Sequence, residues 1–289
     1  MKTIGFIGLG LMGEAMSKNI VEKFDGEVLV YDLNPKAVEN LVVSGATAAT
    51  SIAQIAQKTD VIISMVPRSE HVRSVYQEML PHLHSGQITI DMSTIEPSVS
   101  EAIAKEVAQT GAIMLDAPVV KSVPAAVKAE LGIYIGGDKQ AWEQVRHILA
   151  MMGCNQIHMG PNGRGLVMKM IHNVMVAGIQ NSVNEMLTAA AAFDIQWPDM
   201  HQAISYGGAT NFYLNSKIDS LIAANFAPAF SLQNMAKDVN IMKSMMNESG
   251  LHLPGVDVIK AVYDQGLNTG IGSEDFCATL KVVRSQSQA

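Results

Sequence analysis

Residues 3–13 read T-I-G-F-I-G-L-G-L-M-G, an apolar segment that runs directly into three glycines with the spacing G-x-G-x-x-G. Gly8 permits a tight turn, Gly10 lets the backbone approach a pyrophosphate, and Gly13 lets a helix pack closely on the strand. Residues 14–23 have the pattern of an amphipathic helix, whose N-terminal N–H groups and dipole favour an anion. This stretch predicts a strand, a dinucleotide-binding turn and a helix.

A second apolar segment, E-V-L-V-Y-D, ends at Asp32. An acidic residue about 20 positions after the glycines accepts hydrogen bonds from the hydroxyls of an adenosine ribose. The following D-L-N-P is also favourable turn chemistry, so a simple strand-end turn is the alternative for Asp32. A carboxylate would repel a 2′-phosphate and no arginine follows closely. These features favour NAD over NADP, although Lys36 leaves NADP open.

Strand-like and helix-like segments alternate through the first half of the chain. This alternation implies right-handed βαβ units and therefore an α/β fold with a parallel, doubly wound sheet. Ligands of such sheets bind at the carboxyl ends of the strands. We expect further strands at 60–67, 87–94, 112–120 and 129–138, and helices at 70–80, 97–109 and 140–151.

The second half of the chain has the pattern of helices only. Residues 164–193 are rich in Met, Ala and Val, and no proline interrupts them. A helix this apolar must be covered on most of its faces, so we expect it between domains or between subunits. We therefore predict a Rossmann domain at 1–162 and an all-α domain at 163–289, joined by this long helix. Shorter helices are expected at 197–206, 214–223, 231–249, 254–265 and 274–285.

Lys169 and Asn173 stand four residues apart in the long helix, so they share one of its faces. Apolar neighbours such as Met168 and Met170 suggest that little water reaches this part of the helix. A lysine in such surroundings loses its proton more easily, which suits acid–base chemistry. The alternative is a lysine whose stem packs while its amine reaches water.

Composition excludes several classes of function. The net charge is −7 at pH 7 and no Lys/Arg-rich run occurs, which argues against nucleic acid. No apolar run reaches the roughly 18 residues that a membrane span needs. Cys154 and Cys277 lie far apart in the chain and are expected to be buried thiols in a reducing compartment, the cytoplasm. His82 and His84 lack a third ligand at metal-binding spacing, so we predict no metal.

Five motifs occur in one order along nearly the whole chain: G-F-I-G-L-G-L-M-G-E-A-M, D-M-S-T-I-E-P, D-A-P-V, G-R-G-L-V-M-K-M-I-H-N and A-K-D-V-N-I-M. Together they resemble the β-hydroxyacid dehydrogenase family, which includes 3-hydroxyisobutyrate dehydrogenases. The resemblance implies a Rossmann domain, a long interdomain helix and a helical C-terminal domain. It also implies reversible NAD(P)-dependent oxidation of a small anionic 3-hydroxyacid, and a homodimer or homotetramer.

The resemblance also implies roles for individual residues. Lys169 matches the family's catalytic lysine, which exchanges a proton with the substrate oxygen, and Asn173 matches an asparagine that binds the substrate. Lys237 matches the lysine of a K-D pair near the cofactor, with Asp238 its partner, and Thr94 matches a residue beside the nicotinamide ribose. The other expected cofactor-binding residues are Gly8, Gly10, Leu11, Met12, Gly13, Asp32, Met65, Val66 and Pro67.

The chain departs from the family pattern at two places. The family sequence resembles D-x-P-V-S-G-G, where a serine and two glycines hold the substrate carboxylate, but here Val120, Lys121 and Ser122 stand in those places. In addition, His172 replaces the first asparagine of an N-N pair. We expect Lys121 to bind a carboxylate or sulfonate as a point charge, as in sulfolactaldehyde reductases, unless it simply points to solvent.

Three other functions stay open at this point. One is a semialdehyde reductase of the sulfolactaldehyde or γ-hydroxybutyrate type, which differs only in substrate. Another is imine reductase, but these enzymes usually carry a different residue at the position of Lys169. The last is an NAD-binding regulator without activity, against which the combination of Lys169, Asn173 and Lys237 argues.

Overall fold

The structure is a computed structural model that describes residues 2–287. It consists of two compact units, and the division between them falls within the longest helix, between Lys169 and Met170. The strands are β1 (Thr3–Ile7), β2 (Glu27–Tyr31), β3 (Thr47–Ala48), β4 (Val61–Ser64), β5 (Ile88–Asp91), β6 (Ile113–Asp116), β7 (Val119–Val120), β8 (Gly132–Gly136) and β9 (Asn155–Gly160).

Helices surround the sheet in the first unit and make up the second. Those of the first unit are α1 (Leu11–Lys23), α2 (Pro35–Val43), α3 (Ile52–Lys58), α4 (Ser69–Met79), α5 (Pro97–Gln109), α6 (Val123–Val127) and α7 (Lys139–Leu149). The long helix α8 (Arg164–Ala192) contributes to both units. The second unit adds α9 (Trp197–Ile204), α10 (Phe212–Ile222), α11 (Leu232–Ser249), α12 (Pro254–Asn268) and α13 (Thr279–Gln286).

The first unit contains one sheet in the order β3-β2-β1-β4-β5-β6-β8-β7, with β9 paired to β8. All pairs from β3 to β6 are parallel, so the predicted doubly wound sheet is confirmed. The far end differs, because β8 runs antiparallel to β6 and β7. The connection from β7 to β8 contains only the short helix α6, and a parallel return needs a longer crossover.

The segment predicted as one strand at 112–120 is two strands, β6 and β7. Pro118 lies between them, and a proline has no N–H group to contribute to a sheet. The carbonyl oxygen of Pro118 still accepts a hydrogen bond from the N–H of Tyr134 in β8. Strands β3 and β9 and helices α2, α3 and α6 were not predicted.

Side chains of the central strands alternate between two cores, one on each face of the sheet. In β2, Val28 and Val30 belong to one apolar cluster and Leu29 belongs to the other. This alternation follows from the period of two in a strand, and burial of both faces explains the nearly continuous apolar strands. The second unit has its own core, in which Ala177 and Leu187 of α8 cluster with apolar side chains of α10, α11 and α12.

No helix among residues 2–287 is both long enough and apolar enough to cross a membrane. Both cysteines are free: Cys277 is buried, but Cys154 is exposed. The expectation of two buried thiols is therefore wrong for Cys154, which precedes the edge strand β9.

Two carboxyl groups lie buried side by side at the carboxyl edge of the sheet. Asp91 ends β5 and Asp116 ends β6, and the two residues are partners in the strand register. The Oδ1 of Asp91 accepts hydrogen bonds from the hydroxyls of Ser64 and Ser93, whereas its buried Oδ2 has no hydrogen-bond partner. Loss of hydration on burial raises the pKa of Asp91 to about 6, and the charge of Asp116 adds to this effect.

We expect Asp91→Asn to show how ionisation of this carboxyl group affects stability. The pKa of Asp91 is 3.8 in the unfolded chain and about 6 in the folded protein, so the folded protein holds this proton more tightly. The contribution of Asp91 to the free energy of unfolding is therefore full below pH 3.8 and is lost as the pH rises to about 6. The free energy of unfolding of the variant, minus that of wild type, should therefore rise by about 2–3 kcal/mol from about pH 4 to about pH 7 in urea titrations.

Asp60→Asn is the matched control. The hydrogen bond from the N–H of Lys2 is the main cause that lowers the pKa of Asp60, so its effect on stability changes only below its ordinary pKa of 3.8. Its difference from wild type should stay constant across the same pH range. A constant difference for Asp91→Asn as well would contradict the expectation.

Candidate functional site

The glycine turn between β1 and α1 has the geometry that its sequence predicts. Gly8 has a φ of 93°, in the region that favours glycine, and its N–H donates to the carbonyl oxygen of Tyr31 at 3.0 Å. A Cβ on Gly13 would overlap the carbonyl oxygen of Gly8, whereas one on Gly10 would meet only open space. No side chain of the described residues caps α1 at Gly10, so the first N–H groups of this helix can bind an external anion.

The two residues after Gly10 differ in exposure. The side chain of Leu11 is 82% exposed, and that of Met12 is partly buried against the core beside α1. Both residues belong to the predicted cofactor turn, but the side chain of Leu11 projects into solvent whereas that of Met12 packs partly against the core.

Asp32 follows β2 and connects that strand to the glycine turn. Its Oδ2 accepts a hydrogen bond from the N–H of Leu9 at 2.6 Å, and its Oδ1 accepts one from the N–H of Asn34 at 2.7 Å. Each carboxylate oxygen can accept a further hydrogen bond, so the group can still bind a ribose diol. The nearby Lys36 forms an ion pair with Glu39 at 3.2 Å.

The ends of β4 and β5 are held together through Asp91. The hydroxyl of Ser93 donates to Asp91 Oδ1 at 2.7 Å and accepts from the N–H of Val66 at 2.9 Å. The N–H of Met65 donates to the carbonyl oxygen of Ile7, at the end of β1. Met65, Val66 and Pro67 after β4, and Thr94 after β5, therefore lie at the same edge of the sheet as the glycine turn.

The loop after β7 keeps a glycine-like backbone without a glycine. Lys121 has a φ of 81°, which few residues other than glycine adopt, and its side chain is exposed. Val120 pairs with Gly132 in β8, and the carbonyl oxygen of Ser122 accepts from the N–H groups of Ala125 and Ala126 in α6. Lys121 is thus held between two short regular elements, with its amine free to reach into solvent.

Lys169 lies on α8 at the end of the first unit, and its side chain is only 8% exposed. Burial of this extent agrees with the expectation that little water reaches this part of the helix. Asn173, one turn further along α8, is also buried.

The second unit brings Asn173, Asp238 and Lys237 together. The Nδ2 of Asn173 donates to Asp238 Oδ2 at 2.6 Å. The amine of Lys237 lies 3.3 Å from Asp238 Oδ1 but outside the angles of a hydrogen bond, so this contact is ionic. Asp238, which the sequence identified only as the partner of Lys237, therefore also fixes the amide of Asn173. Asn173 lies on α8 and Asp238 on α11, so the sequence around either residue gives no signal that they share a hydrogen bond.

Across residues 2–287, no group of three or more His, Cys, Asp or Glu side chains is arranged to hold a metal ion. The site residues fall into two sets of polar groups. The first unit holds the glycine turn, Asp32 and the buried Lys169, and the second unit holds Lys237, Asp238 and Asn173. The first set suits a dinucleotide and a proton transfer.

Two family models together match most of the chain. The NAD-binding domain of 6-phosphogluconate dehydrogenase matches residues 3–160. The model described as NAD-binding of NADP-dependent 3-hydroxyisobutyrate dehydrogenase matches residues 163–283.

Similar proteins support the same relationship. The chain is 31% identical to an NAD-dependent L-serine dehydrogenase of Pseudomonas aeruginosa, over 98% of each chain. It is 30% identical to the 3-sulfolactaldehyde reductase of Escherichia coli, over 98% of this chain and 96% of that protein. The solved 3-hydroxyisobutyrate dehydrogenase of Mycobacterium tuberculosis, with L-serine, is 26% identical, has a TM-score of 0.92 and matches over 98% of this chain and 99% of its own.

Proposed function

The chain belongs to the β-hydroxyacid dehydrogenase family, and from that premise we propose that it interconverts a small anionic 3-hydroxyacid and its semialdehyde or ketoacid with NAD. The observation that carries the proposal is the occurrence, in one chain, of the glycine turn, Asp32 and the buried Lys169. The similar proteins act on serine, 3-hydroxyisobutyrate or sulfolactaldehyde, as their names state. Each of these small molecules carries an acidic group and a hydroxyl or aldehyde.

The residues of the first unit fit a dinucleotide. The open space beside Gly10 and the uncapped N-terminus of α1 suit a pyrophosphate. Asp32 suits the ribose diol and disfavours a 2′-phosphate, so NAD is preferred over NADP. We assign cofactor contacts to Leu11, Met12, Met65, Val66, Pro67 and Thr94 as well, and to Lys237 of the second unit.

Proton transfer is the task of Lys169. A dinucleotide held by the glycine turn and Asp32 would supply hydride acceptance in oxidation and hydride donation in reduction. In oxidation the neutral amine of Lys169 takes the proton of the substrate hydroxyl, and in reduction the ammonium gives it back to the oxygen. Burial of the side chain supports this role, since an amine shielded from water exchanges its proton with the substrate oxygen rather than with solvent.

Asn173 binds the substrate beside Lys169 in this proposal. Because Asp238 occupies one N–H of the amide, the orientation of the amide is fixed, and its Oδ1 remains an acceptor for a substrate hydroxyl. Lys237 shares the same carboxylate, which balances the charge of the lysine.

Substrate specificity is assigned to the loop of Val120, Lys121 and Ser122. The exposed amine of Lys121 attracts an anionic group, and the backbone N–H groups of the loop add hydrogen bonds. Carboxylates and sulfonates both satisfy this chemistry, so a sulfolactaldehyde or γ-hydroxybutyrate type of semialdehyde reductase is the second candidate. The 30% identity to a 3-sulfolactaldehyde reductase supports that candidate, as the 31% identity to an L-serine dehydrogenase supports the first.

We further propose a domain boundary at residues 162 and 163, a homodimer or homotetramer, and a location in the cytoplasm. The two family models meet between residues 160 and 163, which supports the boundary. Ile171, Met175 and Met186 expose apolar side chains along α8, which supports assembly. The free cysteines support a reducing compartment.

Lys169→Met should lower kcat by roughly 10²–10⁴-fold in both directions, because the variant has no group that exchanges a proton with the substrate oxygen. NADH formation with a panel of 3-hydroxyacids, and NADH consumption with semialdehydes, measure the loss. Binding of NADH, followed by its fluorescence, should persist. Turnover close to that of wild type would refute the role of Lys169.

Lys121→Ala should raise KM for an anionic substrate by about tenfold or more and leave kcat nearly unchanged, because the lost charge acts on binding. Lys121→Gly should do the same while suiting the positive φ, which separates charge from backbone strain. The exposed Lys128 at the end of α6 provides the control, since Lys128→Ala should change neither constant. Equal effects of Lys121→Ala on an uncharged alcohol would contradict the assignment.

Light scattering should give the mass of a dimer or tetramer for wild type. Met175→Glu should lower that mass, because a buried unpaired carboxylate opposes association. The mass of a single copy for wild type at micromolar concentration would contradict the proposal.

A further inference from the structure

The carboxylate of Asp116 contacts the first turn of the helix that carries Lys169. Asp116 is completely buried at the end of β6. Its Oδ1 accepts a hydrogen bond from the N–H of Gly163 at 2.7 Å, and its Oδ2 accepts one from the N–H of Leu166 at 3.0 Å. Both oxygens are thus used by N–H groups that the helix itself leaves without partners at its N-terminus.

Two glycines allow the helix to approach the sheet this closely. Gly163 has a φ of 86°, which turns the chain into α8. A Cβ on Gly165 would lie 2.5 Å from the carbonyl oxygen of Tyr134 and 2.8 Å from Asp116 Oδ2, so only glycine fits there. The first turn of α8 is therefore in direct contact with the ends of β6 and β8.

Charge strengthens this contact. A negative group at a helix N-terminus interacts favourably with the helix dipole, and hydrogen bonds to a carboxylate are stronger than those to neutral acceptors. Burial raises the pKa of Asp116, whereas the bonds from Gly163 and Leu166 act in the opposite direction by stabilising the charged form. The same two bonds therefore stabilise the carboxylate and fix the start of the helix.

The position of Lys169 follows from this contact. Lys169 lies one turn after Leu166, and Leu166 itself is buried in the apolar core of the first unit. A helix is stiff over one turn, so fixing the backbone at Gly163 and Leu166 fixes both the height and the rotation of Lys169.

We propose that Asp116 is a positioning residue for the reaction, which holds the start of α8 so that the amine of Lys169 is placed for proton transfer. The proposal rests on the function proposed for Lys169. Its chemical basis is general: misplacement of a reacting group by about 1 Å lowers a rate by about 10²-fold.

Asp116→Asn in the full-length enzyme tests the proposal. The variant keeps one acceptor oxygen but places an NH₂ group against an N–H of α8, which should push the first turn away. We expect kcat to fall about 10–100-fold while KM for NAD stays within about twofold. The control is Asp60→Asn, because Asp60 also accepts two backbone N–H groups, from Lys2 and Thr3, but at the opposite edge of the sheet. Its kcat should match wild type.

A double-mutant cycle separates positioning from a general loss of structure. In Lys169→Ala, an added primary amine such as ethylamine supplies the proton-transfer group from solution. Adding Asp116→Asn to this variant should change the amine-dependent rate by less than about threefold, because the amine no longer depends on α8. An equal loss in both backgrounds would show a purely structural effect and overturn the proposal, as would a folded Asp116→Asn enzyme with the kcat of wild type.

Gly165→Ala provides a second variant if Asp116→Asn does not fold. Alanine favours the helix, but its Cβ would move the first turn away from Asp116, so kcat should fall while KM for NAD is kept. An unchanged kcat in this variant would also overturn the proposal. Retained turnover in Lys169→Met would instead refute the function proposed for Lys169, so the two failures can be distinguished.

Discussion

The carboxyl edge of the sheet is organised by carboxylates that accept hydrogen bonds from backbone and hydroxyl groups; Asp91 and Asp116 are buried, and Asp32 is partly buried. Asp91 joins the ends of β4 and β5, Asp116 joins β6 to the start of α8, and Asp32 joins β2 to the glycine turn. Each bond links segments distant in sequence, and each carboxylate would be costly to bury without these donors. These contacts fix the ends of β2, β4, β5 and β6 at the edge of the sheet where the predicted cofactor residues of the first unit lie.

The sequence was sufficient where function depends on local geometry. The glycine spacing, the position of Asp32 and the apolar run around Lys169 each express a short-range requirement, so strand, turn and long helix could all be predicted. The sequence did not reveal β3, which has only two residues, or β9, which is mostly polar, because neither segment carries the apolar run that predicts a buried strand. The strand predicted at 129–138 is present as β8, but its antiparallel direction was not predicted, since a pairing direction depends on the length of a connection rather than on the strand itself.

The roles of the buried acids were likewise beyond local patterns. Asp116 at the end of β6 accepts a hydrogen bond from the N–H of Leu166 in α8, and Asp238 in α11 accepts one from the amide of Asn173. Neither contact leaves a local signature in the sequence, because each partner lies on a different element. In the second unit, one carboxylate serves both Asn173 and Lys237, so a change at Asp238 would disturb two proposed roles at once.

The backbone at Lys121 has a consequence for how the substrate preference of this chain can change. A left-handed residue other than glycine costs about 1 kcal/mol or more, and β7 and α6 on either side hold the conformation in spite of that cost. The flanking elements β7 and α6, rather than the side chain of Lys121, therefore set the path of this loop. Under the role proposed for the loop, exchange of that one side chain changes the charge presented to a substrate while the backbone keeps its path.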